Sequence, residues 1–251
     1  CFTTSMFKVR VCPGTDNYVT LKNVSPYMIH ALIAAEDGAF YSHKGFDWHE
    51  IQASLDLRSG EVRRGASTLT QQLAKNAFLS KDKTLVRKLK EAYLAYSIEN
   101  VYKKDFILEK YLNMVEFGPN LFGIKAAART YFDKSPADLH PLEAVWLAHL
   151  LPNPKVYSQG FRKGELSEFS KKMVQIILKR MKAYRKLTEP AYETAIAAIG
   201  DFPWAGYSIS SFEGIPSYSL DTDVDADVKG ELQVDRDSLN QLLEESKAVQ
   251  E

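Results

Sequence analysis

Apolar residues recur every three or four positions along most of the stretch from residue 25 to residue 199, and that spacing commits the chain to packed helices. Ser25-Pro26 supplies a cap and a first-turn proline ahead of the stripe Met28, Ile29, Leu32 and Ile33. Asp47 and Glu50 make a capping-box-like pair before Ile51 and Leu55. Ser67 can cap a helix running through Gln71, Gln72 and Lys75, and Thr84 opens another with Leu85, Leu89, Ala92, Tyr93 and Tyr96 in register. The same spacing predicts helices near 105–113, 124–132, 141–151, 168–186 and 189–199, and Pro152-Asn153-Pro154 stops one of them. Beyond Gly200 the pattern dissolves. Residues 201–220 read as an irregular segment packed on the body through aromatics such as Phe202, Trp204, Tyr207, Phe212 and Tyr218. Residues 221–236 alternate Asp with Val or Ala, and 238–249 suits a short amphipathic helix. The expected organisation is an N-terminal segment over 1–24, a mainly α domain over 25–200 and a partly acidic extension over 201–251.

Charge narrows the function. The net charge is zero, which gives no bulk attraction for nucleic acid. Its distribution is uneven: Lys75 to Lys104 holds eight basic residues against three acidic, while Asp221 to Glu251 holds ten acidic against three basic. A basic middle suggests an anionic ligand there, and the acidic end suggests a solvated tail. No run of about 18 apolar residues appears, so no segment reads as a bilayer span. The chain opens on Cys1 rather than Met, which leads us to expect a leader or anchor upstream. Cys1 and Cys12 would pair in an oxidising compartment and stay thiols in the cytosol; the residues alone favour two unpaired cysteines.

Three segments carry candidate chemistry. In Glu36-Asp37-Gly38-Ala39-Phe40-Tyr41-Ser42-His43-Lys44-Gly45, the apolar stripe ends at Ala35, so both carboxylates fall at a helix C-terminus. The negative end of a helix raises a carboxylate's proton affinity, which suits a general base working near neutral pH. A solvated helix end is the plain alternative. In the segment from Arg64 to Asn76, Gly65 lets a ligand approach the backbone, and Ser67-Thr68 open a helix whose free N–H groups favour an anion. Gln71 and Lys75 share one face of that helix, Gln72 and Asn76 the next. In Lys83 to Glu91, Lys83, Arg87 and Lys90/Glu91 line one helix face with Lys88 beside them, a set that could surround a diphosphate together with Lys75. A simple Arg87–Glu91 surface pair remains open at this point.

Metal signals are weak. Asp221, Asp223, Asp225 and Asp227 alternate as calcium ligands can, but Ala226 and Leu232 stand where an EF-hand loop needs Gly and Glu. His30, His49, His140 and His149 show no zinc-ligand spacing. No metal is assigned.

Taken in order, these segments resemble the family 51 glycosyltransferases, the peptidoglycan glycosyltransferase domain of penicillin-binding proteins. The pattern is Glu36-Asp37-x-x-Phe40-x-x-His43-x-Gly45, then Gly65-x-Ser67-Thr68-x-Thr70-Gln71-Gln72-x-x-Lys75-Asn76, then Arg87-Lys88-x-x-Glu91. It continues with Lys104-x-x-Ile107-Leu108-Glu109-x-Tyr111-Leu112-Asn113 and a block from Phe117-Gly118 through Gly123-Ile124 to Tyr131-Phe132. Glu116-Phe117-Gly118 and Leu151-Pro152-Asn153-Pro154 look most like the monofunctional biosynthetic transglycosylases. A fused transpeptidase is rejected, because no Lys-Thr-Gly exists.

The resemblance implies a mainly α, lysozyme-like helical domain with a smaller membrane-facing lobe around residues 45–85 and a C-terminal extension. It implies lipid II and the growing glycan strand as substrates, the membrane surface and cell-wall synthesis or division proteins as partners, and no nucleic acid. The implied place is the cell envelope, on the periplasmic face of the cytoplasmic membrane. Glu36 would deprotonate the 4-hydroxyl of the acceptor, with Glu91 as the second catalytic carboxylate. Asp37, Phe40, His43, Ser67, Thr68, Gln71, Gln72, Lys75, Asn76, Lys83, Arg87, Lys88 and Asn113 would hold glycan and diphosphate. No cofactor is required by this reading, although a divalent cation (Mg or Mn) at the diphosphate fits it. The chain departs from the family at Gly38-Ala39, usually a basic or polar pair, and at Lys83, usually Arg, which loses a bidentate fork. Two other readings share these residues: a lysozyme-like glycan-cleaving enzyme, and an inactive glycan-binding scaffold. An uncharged leaving group has no use for a multi-cation cradle, and that favours synthesis.

Overall fold

Helix α6 (Pro141–Leu150) is buried along its whole length and is the axis on which the domain is built. A helix apolar on every side needs neighbours on every side. It packs against α1 (Pro26–Glu36) and α9 (Glu168–Ala183), which also touch each other. The computed structural model describes residues 1–45, 67–80, 82 and 84–212. The Asp47–Glu50 pair, most of the lobe expected around 45–85, Lys83, the acidic stretch and the helix expected at 238–249 lie outside those residues.

The remaining helices are α2 (Leu69–Phe78), α3 (Leu85–Val101), α4 (Lys104–Leu112), α5 (Ile124–Phe132), α7 (Pro154–Tyr157), α8 (Gln159–Lys163) and α10 (Glu189–Ala197). Two small antiparallel pairs complete the described residues: β1 (Phe2–Thr3) with β2 (Arg10–Val11), and β3 (Glu116–Gly118) with β4 (Leu121–Phe122). The mainly helical class expected from the apolar spacing is what the chain adopts. Around Trp146 an aromatic cluster of Tyr131, Phe132, Phe161 and Phe202 fills the space between α5, α6 and α8.

Boundaries moved where side chains chose differently from the pattern. Thr68, not Ser67, caps α2: its hydroxyl accepts from Gln71 N while Gln71 Oε1 accepts from Thr68 N, a complete capping box. Helix α9 ends at Ala183 rather than near 186, because Arg185 turns left-handed at φ 56° and Lys186 N returns to Met181 O. Helix α10 ends at Ala197 and tightens into a 3-10 turn, Ala198–Asp201.

The N-terminal segment is fastened to the domain. Val11, Val19 and Val24 join the same core as α1 and α6. Ser5 N donates to Ala77 O at 2.8 Å and Met6 N to Asn76 O at 3.4 Å, on the last turn of α2. The expectation of two unpaired cysteines is overturned: Cys1 and Cys12 form a disulfide. The β1–β2 pairing sets Phe2 opposite Val11 and so brings the flanking cysteines together, with Cα atoms 4.3 Å apart. On the loop-entropy account, replacing both cysteines by Ser should lower unfolding free energy by about 3 kcal/mol. Urea denaturation of the oxidised chain beside the double variant tests this, and equal midpoints would refute it. Residues 201–212 wrap back over α6, with Phe202, Trp204 and Phe212 buried, Trp204 Nε1 donating to Ala198 O and Phe212 stacked on His140.

Candidate active site

Glu36 is the last residue of α1, and Asp37 caps it, its N–H bonded to Ile33 O. The C-terminal placement read from the sequence is thus observed. The carbonyl of Ala34 in this last turn accepts from Arg180 Nη1 of α9 at 3.2 Å. Asp37 then reaches the start of α2: its Oδ2 accepts from Leu69 N at 2.9 Å. A carboxylate on the first free N–H of a helix is favoured by the positive end of the dipole. This bond docks the N-terminus of α2 on the C-terminus of α1. It sets Gln72, one turn further along α2, beside Glu36.

The result is a short relay of polar contacts. Gln72 Nε2 donates to Glu36 Oε2 at 2.7 Å, and Gln72 Oε1 accepts from the hydroxyl of Tyr111 at 2.9 Å. Glu36 keeps some exposure, yet protein surrounds it closely enough that desolvation pushes its pKa up. The Gln72 amide opposes that rise, Asp37 adds to it, and the charges of Lys75 and Arg180 pull it back. A carboxyl shifted upward in this way is a better proton acceptor than a solvated one.

The cations gather on α2 and the start of α3. Glu91 of α3 is buried at 2% exposure. Arg87 Nη1 meets its Oε2 at 2.7 Å and Lys88 Nζ its Oε1 at 2.5 Å. The Arg87–Glu91 contact is therefore part of a three-charge group built on a buried carboxylate and not the simple surface pair left open by the sequence. Lys88 also donates to Ser67 Oγ at 2.9 Å. Lys75 of α2 lies within the field of Glu91, Lys88, Arg87 and Glu36, and burial lowers its pKa. A cleft of about 410 Å³ is lined by the polar Gln72, Lys75, Asn76, Ser80, Arg87 and Glu116 and by the apolar Met6, Phe7, Val115, Leu151 and Pro154. Gln72 joins this cleft to Glu36, and Lys75 and Arg87 bring it positive charge.

Six residues that the resemblance set against substrate have other partners in the structure. Asp37 holds Leu69 N and, at 3.0 Å, the ring of His43. The other ring nitrogen of His43 faces Lys104 at 3.3 Å, and Lys104 pairs with Glu99 at 2.6 Å. Phe40 is fully buried beneath Lys104 Nζ, 4.6 Å from its ring centre. Thr68 donates to Gly45 O, and Gln71 closes the capping box. Gly45 can be nothing larger: its φ is +82° and a Cβ would press the Tyr96 backbone at 3.2 Å. Asn113 bonds both the N–H and the carbonyl of Val19, and the carbonyl of Glu109. These six are held by contacts within the protein. Gln72, Lys75, Asn76 and Arg87 line the cleft, and Glu36, Ser67, Lys88 and Glu91 join them through hydrogen bonds and ion pairs; Lys83 lies outside the described residues. Tyr111, Arg180, Glu99 and Lys104 were missed as site residues. Tyr111 and Lys104 stand inside the fourth motif and were within reach, whereas Arg180 has no local signal. The departure at Gly38 has a physical basis, since a Cβ there would collide with the Tyr184 hydroxyl.

The described residues thus set a carboxyl of raised proton affinity next to a cleft that carries Lys75 and Arg87, an arrangement suited to proton transfer on an anionic ligand. Comparison with known proteins gives the family. The family model described as Transglycosylase matches residues 7–182, and the chain belongs to that family. Among curated relatives, the biosynthetic peptidoglycan transglycosylase of Acinetobacter baylyi is 48% identical over 132 residues, covering 52% of this chain and 59% of the relative. Its counterpart in Azoarcus is 44% identical over 146 residues, or 57% and 63% of the two chains. That of Acinetobacter baumannii is 40% identical over 164 residues, or 64% and 72%. The chain thus matches about three fifths of the length of the first of these relatives.

Proposed function

We propose that this chain is a peptidoglycan glycosyltransferase that polymerises lipid II into glycan strands. The observation that carries the reading is the shared cleft: the Gln72 that bonds Glu36 lines the same cleft as Lys75 and Arg87. In the proposed step Glu36 takes the proton from the 4-hydroxyl of the acceptor GlcNAc as that oxygen attacks C1 of the donor MurNAc. The new O4–C1 bond forms on the face opposite the breaking C1–O bond, so the anomeric centre inverts from α to β. The electron pair leaves on undecaprenyl diphosphate. Lys75, Arg87 and Lys88 stabilise the charge that grows on that diphosphate, where electrostatics lowers the barrier most. Glu91 holds Arg87 and Lys88 at fixed positions rather than touching sugar. Each Glu91 oxygen meets one of these cations, and no step is assigned to a divalent ion.

An extracytoplasmic place is supported by the disulfide, which persists in oxidising compartments. Contact with the membrane surface is supported by α3, where Leu85, Val86, Leu89 and Tyr93 are more than 60% exposed beside Lys88 and Lys90. No helix among the described residues is long and apolar enough to cross a membrane. The direct test supplies labelled lipid II and, separately, finished peptidoglycan. Polymer and free undecaprenyl diphosphate should appear from the first and no fragments from the second. Cleavage of the finished wall with lipid II untouched would establish the glycan-cleaving reading instead.

A further inference from the structure

Tyr111 is the largest fully buried side chain in contact with the Glu36 relay, and its hydroxyl is not needed for packing. Phe would fill the same space. A phenol buried this deeply is costly unless its O–H finds a partner. Here the partner is Gln72 Oε1, at 2.9 Å. An amide side chain is nearly symmetric in shape, so packing alone does not decide which end of Gln72 faces Glu36. The two neighbours of the amide decide it together. Ionised Glu36 can only accept, which turns the NH2 group to its Oε2 and the carbonyl oxygen to Tyr111. Burial beside Glu36 and Asp37 keeps the phenol protonated, so it donates to that oxygen and holds the amide the same way round when Glu36 takes up a proton.

We propose that Tyr111 is a positioning residue that fixes the Gln72 amide so that one oxygen of Glu36 is held and the other is left to receive a proton. The inference rests on the reading of Glu36 as the base. Glu36 is faced by Asp37 at the end of α1, Gln72 and Lys75 from α2, Tyr111 from α4 and Arg180 from α9. Of these, Tyr111 and Gln72 act by hydrogen bonding without a charge of their own. Removing the hydroxyl leaves the surrounding charges in place, so its effect can be read separately.

The experiment compares wild type with Tyr111→Phe, and both with Gln72→Leu and the double variant. In each, the Glu36 carboxyl is titrated by carbon-detected NMR in the free protein, and lipid II polymerisation is measured across pH. Tyr111→Phe should raise the Glu36 titration midpoint by about half a unit to one unit, because an amide free to flip no longer favours the carboxylate. It should lower kcat about tenfold with little change in KM. The second substitution should add nothing in the Gln72→Leu background, since the hydroxyl acts only through that amide. An unmoved Glu36 midpoint in Tyr111→Phe, or a further shift on top of Gln72→Leu, would overturn the proposal. If the midpoint moves as expected but no form polymerises lipid II, the positioning role stands and the functional reading fails.

Discussion

Glu36→Gln should reduce lipid II polymerisation by about 10³-fold while leaving the fold intact, since a positioned general base contributes roughly 10²–10⁴. The substitution is close to isosteric, and the new amide can turn its oxygen toward Gln72 Nε2, so the contact that links α1 to α2 survives. What is lost is the ability to take a proton at the end of α1. Stability should not fall. Burial raises the Glu36 pKa, which means that the charged form is disfavoured in the folded state near neutral pH, and a neutral replacement removes that cost. The melting temperature should therefore hold or rise slightly. Wild-type activity should also fall as pH drops through the elevated Glu36 pKa, so the acidic limb of the rate profile lies above the ordinary carboxylate range. A Gln variant that polymerises at the wild-type rate would remove Glu36 from the mechanism. A variant that is inactive because it has unfolded would show in the melt.

Which parts of this site were readable before the fold was known depends on whether the information is local. The end of α1 was readable because the apolar stripe stops at Ala35 and the capping turn follows directly. The Arg87–Lys88–Glu91 group was readable because helical spacing places those residues together. The partners of the six internally held residues were not. Asp37 belongs to the first motif, and its partner Leu69 is met only once α2 docks on α1. Arg180 stands 146 positions from the carbonyl it caps, a distance no spacing rule spans. The disulfide shows the same limit: nothing in two cysteines eleven apart reveals that β1 and β2 will lay them side by side. Gly38 looked like a lost contact, whereas the Tyr184 hydroxyl occupies the space a side chain would take.

Desolvation, which gives Glu36 its character, also sets a limit on the acid tolerance of the domain. His30 of α1, and His140 and His149 at the two ends of α6, are each no more than 4% exposed. Burial holds each ring neutral and lowers its pKa to about 3, aided at His30 by Lys186 and at His140 by Lys134. Each group has a folded pKa below its unfolded value of 6.5, so the unfolded chain binds the proton first. Stability from these three is then complete above pH 6.5 and is lost as pH falls toward 3, at about 1.4 kcal/mol per unit for each ring. Between pH 7 and pH 5 that amounts to about 5 kcal/mol for the three, against a total of about 5–15 for a typical domain. Glu36 and Glu143 act in the opposite sense, because their raised pKa values let the folded state take up protons as pH falls, and they offset part of the loss. The net expectation is a melting temperature at pH 5.0 lower by ten degrees or so than at pH 7.5. Unfolding at pH 5 should be accompanied by net proton uptake. His149→Asn keeps a partner for Ser170 Oγ, which lies 3.1 Å from the imidazole, and should flatten the pH dependence by about a third. Equal melting temperatures at the two pH values would mean that these rings are protonated in the folded protein or reached by solvent, and the packing of α1 and α9 on α6 would have to be drawn differently.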